Sequence, residues 1–129
     1  MLKAGIKGTL SCKVTEALTA VSMKSGTLPV YATPAMAALM EETACKSVEP
    51  YLSEGEGTVG SGLNISHSSP SYLGSEITCE SVLTAVEGKK LIFRVSAMDE
   101  AGIIGEGEHI RYIINEEKFL EKAKNKKQP

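Results

Sequence analysis

The segment from residue 33 to residue 49 constrains the fold more than any other part of this chain. Thr33 and Pro34 predict a helix start, because threonine is a good N-cap and proline at the first helical position loses no hydrogen bond that the helix needs. The residues that follow are almost all helix formers and are apolar on nearly every face. A helix that is apolar all round is normally buried. We therefore predict a buried central helix that ends near Glu49, before Pro50.

The rest of the chain is typical of β-structure, because apolar and polar residues alternate and turn residues separate the runs. The predicted strands cover residues 1–14, Thr58–Ser66, Glu76–Val86, Lys90–Met98 and Ile103–Ile114. A short charged helix over Asn115–Lys127 follows, with Phe119, Leu120 and Ala123 as its apolar contact. One long buried helix against a curved antiparallel five-stranded sheet is an α+β architecture. This order of elements is that of the hot-dog fold.

Composition limits the classes of function. The chain has 129 residues, with 14 Lys+Arg against 16 Asp+Glu, and this length predicts a single domain over residues 1–129. The slightly acidic balance argues against nucleic acid as a partner, since nucleic-acid-binding surfaces are basic. The longest apolar run, around Pro34–Met40, is far shorter than the ~20 residues that span a bilayer. The N-terminus shows no continuous apolar signal segment, so we expect neither membrane insertion nor export.

The cysteines and histidines predict neither a metal centre nor a redox site. Cys12, Cys45 and Cys79 are far apart and odd in number, which gives no disulfide framework and no Cys-x-x-Cys pair. His67 and His109 are expected on different strands, whereas a zinc site needs three or four converging ligands. We therefore predict no metal and no cofactor, and a reducing, cytoplasmic compartment.

One glycine-rich segment imitates a nucleotide-binding motif. Gly55–Gly60 matches the spacing G-x-G-x-x-G. The dinucleotide fingerprint requires a strand before it and a helix after it, but this segment follows the predicted helix and opens a predicted strand. Glu56 would also bring a negative charge beside a diphosphate. We assign these glycines to a close approach of two backbones at the start of a strand.

Three polar residues remain that could carry chemistry: Thr33 at the helix start, Glu41 within the apolar helix, and His67 near the end of the next strand. A glutamate inside an apolar helix costs free energy unless it is paired, hydrogen-bonded or neutralised. Such a placement is one route to a catalytic acid or base. A structural role for Glu41 at a dimer interface explains the residue equally well, and the residues alone leave both interpretations open.

Four segments of the chain carry a more specific signal. They are Val30–Glu42, Gly57–Gly60, Ile65–His67 and Ile104–Arg111. Together, and in this order over roughly residues 14–119, they resemble the fluoroacetyl-CoA thioesterase-like branch of the hot-dog thioesterases. The resemblance covers nearly the whole chain.

The resemblance implies a hydrolase that acts on acyl-CoA thioesters. In that family the residues that match Thr33, Glu41 and His67 form the proposed catalytic set. Gly60 and Arg111 fall on residues that the family places at the substrate site. Glu41 would act as a general base toward water or as a nucleophile that forms an anhydride, and the sequence does not decide between the two.

One segment departs from the family pattern. Members specialised for fluoroacetyl-CoA share a longer, aromatic-rich lid, whereas Thr19–Val30 is short and contains no Phe, Tyr or Trp. We therefore expect hydrolysis of short-chain acyl-CoA without strong selectivity for the fluorinated substrate. A non-catalytic acyl-CoA binding or sensor protein is the alternative. A hydratase is disfavoured, because the single aspartate, Asp99, lies in a predicted turn.

The spacing of Thr33 and Glu41 predicts how the site is assembled. Eight residues on a straight helix place them ~12 Å apart along the axis and about 80° apart around it, so one thioester carbonyl cannot contact both within one chain. Hot-dog domains generally pair about a two-fold axis, which lets residues of both chains meet in each of two equivalent sites. We predict a homodimer in which Glu41 of one chain approaches a pocket edge supplied by the other.

Overall fold

The structure, a computed structural model, describes residues 1–126 and contains one five-stranded sheet with one long helix packed against it. The strands are β1 (Lys7–Lys13), β2 (Glu56–His67), β3 (Glu76–Glu87), β4 (Lys90–Asp99) and β5 (Gly102–Asn115). The helices are α1 (Ala20–Met23), α2 (Thr33–Val48) and α3 (Glu116–Asn125). Apart from α1, a single turn, these elements follow the predicted order, and the predicted α+β architecture is confirmed.

The sheet is antiparallel throughout, in the order β1-β3-β4-β5-β2. Short turns join β3, β4 and β5, so these sequential strands pair directly. The turn between β3 and β4 contains Gly88 at a φ of +66°, a left-handed conformation that glycine adopts without steric cost. β1 and β2 form the two edges, so one side of each of these strands has no partner within the sheet.

The core lies between α2 and one face of the sheet. Met36, Met40 and Val48 of α2 are fully buried. Alternate residues of β4 point at them, as the sequence pattern predicts: Leu91, Phe93, Val95 and Ala97. This alternation fixes the strand register, because a slip of one residue would turn the whole apolar set toward solvent.

The opposite face of α2 is not covered. Pro34, Ala38, Glu42 and Lys46 recur every four residues, lie on one helix face and are exposed. The prediction of a helix buried on every side is therefore wrong for the single chain. No helix within residues 1–126 is long and apolar enough to cross a membrane.

The C-terminal helix also differs from the prediction. Asn115 caps α3, since its side chain accepts a hydrogen bond from the backbone N–H of Lys118. Phe119 is 40% exposed and Leu120 is 57% exposed, and Ala123 is exposed as well. The predicted apolar contact of this helix is therefore wrong within the chain. The last residue of the predicted helix, Lys127, lies outside the described residues.

Candidate active site

Thr33 and His67 form the threonine–histidine pair. Thr33 is the first residue of α2 and His67 is the last residue of β2, and the Thr33 hydroxyl lies 2.8 Å from Nδ1 of His67. The N-cap of α2 is Ala32, and no side chain caps this helix end. The prediction that Thr33 is the cap is therefore wrong. Its hydroxyl is available to His67 because Thr33 lies inside the first helical turn.

The surroundings of His67 favour its neutral form. Burial lowers the pKa of the imidazole, because a charge is disfavoured away from water, and the backbone at Ser69 partly offsets this. The ring meets Tyr31 edge-on, with centroids 6.3 Å apart. Nε2 of His67 is buried and has no hydrogen-bond partner among the residues that the structure describes. A buried polar atom without a partner costs free energy, so a group outside the chain is the natural partner for this nitrogen.

An open cleft adjoins the threonine–histidine pair. Its volume is about 300 Å³, and besides the pair it is lined by Ala20, Ser25, Val30, Tyr31, Ser68, Ser69 and Pro70. The segment Thr19–Val30 supplies the first three of these residues. Val21, Met23 and Leu28 of that segment expose 48%, 40% and 62% of their surface, respectively. The cleft is partly open and its lining is mixed, with aliphatic side chains, serines and the aromatic ring of Tyr31, which lies outside Thr19–Val30.

Glu41 lies elsewhere on α2, at the margin of its buried face. Its side chain is 45% exposed, so the prediction that it is buried is wrong within the single chain. Oε2 of Glu41 lies 4.0 Å from Nη1 of Arg111. A Cβ atom on Gly60 would lie only 2.8 Å from the same oxygen. The Glu41 carboxylate thus occupies the space beside Gly60 of β2 that the side chain of a larger residue at position 60 would fill.

Arg111 is held in one orientation by three hydrogen bonds. Nε donates to Oγ1 of Thr58 at 2.9 Å, and Nη2 donates to the Thr58 carbonyl at 2.9 Å. Nη1 lies 3.1 Å from Nε2 of His109. The guanidinium is only 7% exposed. A buried cation with this many fixed partners is positioned before any ligand arrives. Glu41, Thr58, Gly60, His109 and Arg111 form the arginine cluster.

A β-bulge in β2 decides which residues share the inner face of the sheet. The pairing of β2 with β5 shifts between Gly60 and Gly62, so Ser61 is an extra residue. Side chains alternate along a regular strand, and Gly60 and His67, seven residues apart, would face opposite sides. The inserted residue reverses the alternation. Gly60 and His67 therefore both face α2, where they meet Glu41 and Thr33.

The five predicted site residues fall into two groups in one chain. Thr33 and His67 are in contact, and Glu41, Gly60 and Arg111 are together. Helix geometry separates the two groups by ~12 Å along α2. The structure brings the predicted residues to one face of the sheet but not to one point.

Sequence reasoning did not assign Thr58 or His109 to the site. The signal that could have found His109 is its spacing, since residues two apart on a strand face the same side and His109 precedes Arg111 by two. Thr58 likewise precedes Gly60 by two residues on β2.

The glycine motif that begins at Gly55 opens β2 and is not followed by the helix that a dinucleotide site needs. Gly55 itself lies in the preceding turn, at a φ of +84°. Within residues 1–126 no three or more His, Cys, Asp or Glu side chains are grouped as metal ligands.

Comparison with known proteins now gives the family. Residues 14–117 match the family described as fluoroacetyl-CoA-specific thioesterase. A fluoroacetyl-CoA thioesterase from Streptantibioticus cattleyicolor is 39% identical over 97 residues, which cover 75% of this chain and 70% of the relative. The chain belongs to the fluoroacetyl-CoA-specific thioesterase family.

Solved structures agree with this assignment. A variant of the fluoroacetyl-CoA thioesterase FlK in complex with acetyl-CoA superposes with a TM-score of 0.92 at 31% identity, over 99% of this chain and all of the other. A thioesterase superfamily member from Thermus thermophilus superposes with a TM-score of 0.91 at 28% identity, over 99% of this chain and 95% of the other. The predictions of a hot-dog fold and of a thioester hydrolase are confirmed.

Proposed function

We propose that this thioesterase hydrolyses short-chain acyl-CoA to the free acid and CoA, with Glu41 as general base or nucleophile and with Thr33 and His67 assisting. The observation that carries the proposal is the placement of a carboxylate, a buried guanidinium and a threonine–histidine pair on one face of a sheet of this family. The family match supports acyl-CoA thioesters as the substrate class. Two of the relatives named above, the fluoroacetyl-CoA thioesterase and the variant in complex with acetyl-CoA, act on or bind thioesters with two-carbon acyl groups.

Glu41 is suited to the reacting group because water can reach it. With nearly half of its side chain exposed, the carboxylate can take a proton from a water molecule while that water attacks the thioester carbon. The C–S bond then breaks and CoA leaves. In the alternative route the carboxylate itself attacks, CoA leaves, and water hydrolyses the resulting anhydride. In both routes the reacting oxygen is Oε1 or Oε2 of Glu41.

Gly60 and Arg111 form the wall that receives the acyl end. Gly60 leaves room beside the Glu41 carboxylate, and backbone N–H groups near it can hold the negative charge that develops on the carbonyl oxygen. Arg111 adds a fixed positive charge 4.0 Å from the carboxylate.

A homodimer would complete the site. β2 is an edge strand that carries both Gly60 and His67, so a second copy can pair with it along the free side. If a two-fold axis passes between Leu63 and Asn64, Gly60 of one chain lies opposite His67 of the other. The pair of one subunit would then adjoin Glu41 of its partner, and each dimer would have two equivalent sites. The exposed face of α2 lies beside the same edge.

Mixing two inactive variants tests the shared site. Glu41→Gln and His67→Ala proteins are each purified, unfolded together and refolded as a mixture. If the residues act across the interface, each heterodimer has one site with both lesions and one intact site, and random pairing restores about a quarter of the wild-type activity. If they act within one chain, every site keeps a lesion and the mixture stays inactive, which would refute the shared site.

A panel of acyl-CoA substrates tests the chemistry and the acyl range. Thiol release is measured for acyl chains of increasing length, with Glu41→Gln as the negative control. The partly open cleft of about 300 Å³ leads us to expect the highest kcat/KM for short chains. Tight binding of acyl-CoA without thiol release would instead identify the protein as a sensor.

The three cysteines are free in the structure, which supports a reducing, cytoplasmic compartment.

A further inference from the structure

His109 is a buried titratable residue that the proposed chemistry does not use. Its side chain is 1% exposed and stacks on Phe93 of β4, with ring centroids 6.2 Å apart and an angle of 30° between the rings. Both ring nitrogens have partners. Nδ1 lies 2.8 Å from the carbonyl oxygen of Gly62, and Nε2 lies 3.1 Å from Nη1 of Arg111. Any buried histidine needs partners for its ring nitrogens, so the role of His109 depends on which groups these partners belong to.

These two partners determine the state of the imidazole. A carbonyl oxygen can only accept a hydrogen bond, so Nδ1 of His109 carries the proton and donates it to Gly62. A guanidinium can only donate, so Nε2 is unprotonated and accepts from Arg111. The ring is therefore neutral, with its single proton on Nδ1. A second proton would remove the acceptor of Arg111 and set two cations against each other.

The two contacts of His109 end at two parts of the candidate site. Gly62 closes the β-bulge that turns Gly60 and His67 to the same face of the sheet. Arg111 carries the positive charge that faces Glu41. His109 lies between them, with its Cε1 only 3.2 Å from the point that a Cβ on Gly60 would occupy. One side chain thus connects the backbone shape of β2 with the direction of the guanidinium.

We infer that His109 is a positioning residue, which holds the bulge of β2 through Nδ1 and orients Arg111 toward Glu41 through Nε2. The inference rests on the proposed function insofar as Arg111 and Glu41 act on the acyl group. The pKa of His109 supports it. Burial lowers this pKa first, and the nearby Arg111 lowers it further, while the Gly62 carbonyl and Glu41 act in the opposite direction. The neutral imidazole that both contacts require is therefore the form present at neutral pH.

Two substitutions separate the two contacts of His109. Asparagine places an N–H near the position of Nδ1 and nothing at Nε2, so His109→Asn keeps the contact with Gly62 and loses the one with Arg111. Glutamine reaches farther and can place its carbonyl near Nε2, so His109→Gln keeps the acceptor of Arg111. We expect His109→Asn to lower kcat at least about tenfold with little change in KM, because Arg111 and Glu41 act on the reacting acyl group in the proposed function. His109→Gln should recover part of the loss.

Arg111 offers a readout that does not depend on activity. The chain contains only two arginines, Arg94 and Arg111, so their Nε–H signals in a nitrogen–proton NMR spectrum are assigned by one substitution each. Arg94 lies on β4, where its side chain is 58% exposed and bonds Glu106, and it serves as the control. In the wild type we expect slow hydrogen exchange at Arg111 Nε, because this group is buried and donates to Thr58. His109→Asn should speed that exchange and leave Arg94 unchanged.

The outcomes decide between the inference and the proposed function. Unchanged kcat and unchanged exchange at Arg111 in folded His109→Asn would overturn the inference. A double variant, His109→Asn with Arg111→Gln, gives a second test. A residue that acts through Arg111 has no further effect once Arg111 is replaced. A double variant whose loss of activity equals the product of the two single losses would therefore also overturn the inference. Should His109→Asn not fold, faster exchange at Arg111 in His109→Gln than in the wild type would contradict the role of Nε2. A wild type without thioesterase activity but with the expected exchange pattern would refute the proposed function and leave the positioning role intact.

Discussion

The threonine–histidine pair and the arginine cluster differ in how firmly their parts are fixed. The pair is one hydrogen bond of 2.8 Å at the mouth of an open cleft, and Nε2 of His67 has no partner in the described chain. The cluster is cross-linked: Arg111 makes three hydrogen bonds, and His109 connects it to the bulge of β2. Donors fixed before the reaction stabilise developing charge without a cost of reorganisation.

This difference indicates a division of labour. The cluster fixes the guanidinium of Arg111, and in the proposed mechanism this cation faces the Glu41 carboxylate, which lies 4.0 Å away and is free to move. The pair keeps a ring nitrogen without a partner in the described chain and a hydroxyl beside the cleft, where we propose that the substrate enters. The two regions lie ~12 Å apart along α2, so one thioester carbonyl cannot contact both within one chain. The following predictions test this division, from the largest expected effect to the smallest.

Removing the charge of the cluster's carboxylate should have the largest effect. Glu41→Gln keeps the shape but cannot accept a proton or attack carbon, and we expect kcat/KM to fall roughly 10²–10⁴-fold. Glu42→Gln is the matched control, because Glu42 is exposed and pairs with Lys46 at 3.1 Å on the outer face of α2. The control should stay within about twofold of the wild type, since exposed ion pairs contribute little. Equal losses in both variants would remove Glu41 from the proposed chemistry.

Removing the Thr33 hydroxyl should lower activity less than removing the charge of Glu41, but clearly more than the loss of a helix cap would. Thr33→Val keeps the branched shape and loses the hydrogen bond to His67, and we expect kcat/KM to fall by at least about tenfold. Thr33→Ser should retain most activity. Because Ala32 and not Thr33 is the N-cap, the melting temperature should change by only a few degrees. A stable Thr33→Val protein with full activity would leave the pair without a catalytic role.

Gly60 tests how closely the cluster is packed. A Cβ at this position would meet Oε2 of Glu41 at 2.8 Å, and the flexible glutamate side chain, not the backbone, would have to move. We expect Gly60→Ala to fold normally but to lower kcat about tenfold, as a small misplacement of a reacting group does. In Gly62→Ala the added Cβ meets only the Ile110 side chain, at 3.7 Å, so its loss should be clearly smaller. Similar activities for the two variants would show that the position of Glu41 is not critical.

The two histidines should make stability depend on pH. Burial lowers the pKa of both His67 and His109, whereas each titrates near about 6.5 in the unfolded chain. As the pH falls below about 6.5, the unfolded chain binds more protons than the folded chain, so the free energy of unfolding decreases. Urea unfolding at about pH 7.5 and pH 5.5 measures this decrease. His109→Asn, at the more buried site, should flatten it more than His67→Asn. Asp99 does not interfere, because its pKa is lowered and lies below this window.

The cleft beside the pair concerns the choice between two substrates and not the loss of activity toward one, and we expect this selectivity to be weak. No aromatic side chain borders it from Thr19–Val30, so acetyl-CoA and fluoroacetyl-CoA should differ by no more than small differences in an apolar pocket provide, about 10–200-fold in kcat/KM. The measurement is a direct competition between the two thioesters. A preference clearly above this range would show that residues not yet identified form the gate that recognises fluorine.

Much of the fold could be predicted from local patterns. The run after Pro34 specifies α2, and the period-two alternation of β4 specifies which of its residues enter the core, because both signals depend only on near neighbours in the sequence. The exposed strip of α2 could not be predicted in this way. Pro34 and Ala38 are compatible with burial, and only the position of the sheet leaves them uncovered. The same holds for Phe119 of α3, whose apolar side chain stays 40% exposed among the described residues.

The sequence by itself determined the family, the order of the elements and the identity of the residues Thr33, Glu41, His67, Gly60 and Arg111, because motifs record chemistry that each position must keep. Only the tertiary structure decided how these residues are arranged. The bulge at Ser61 sets the face on which His67 lies, and His109 joins the arginine cluster through one contact along β5 to Arg111 and one across the sheet to Gly62 of β2, the second of which no local pattern encodes. The physical reason is that a hydrogen bond between distant strands depends on register, and register is settled only when the whole sheet packs against α2.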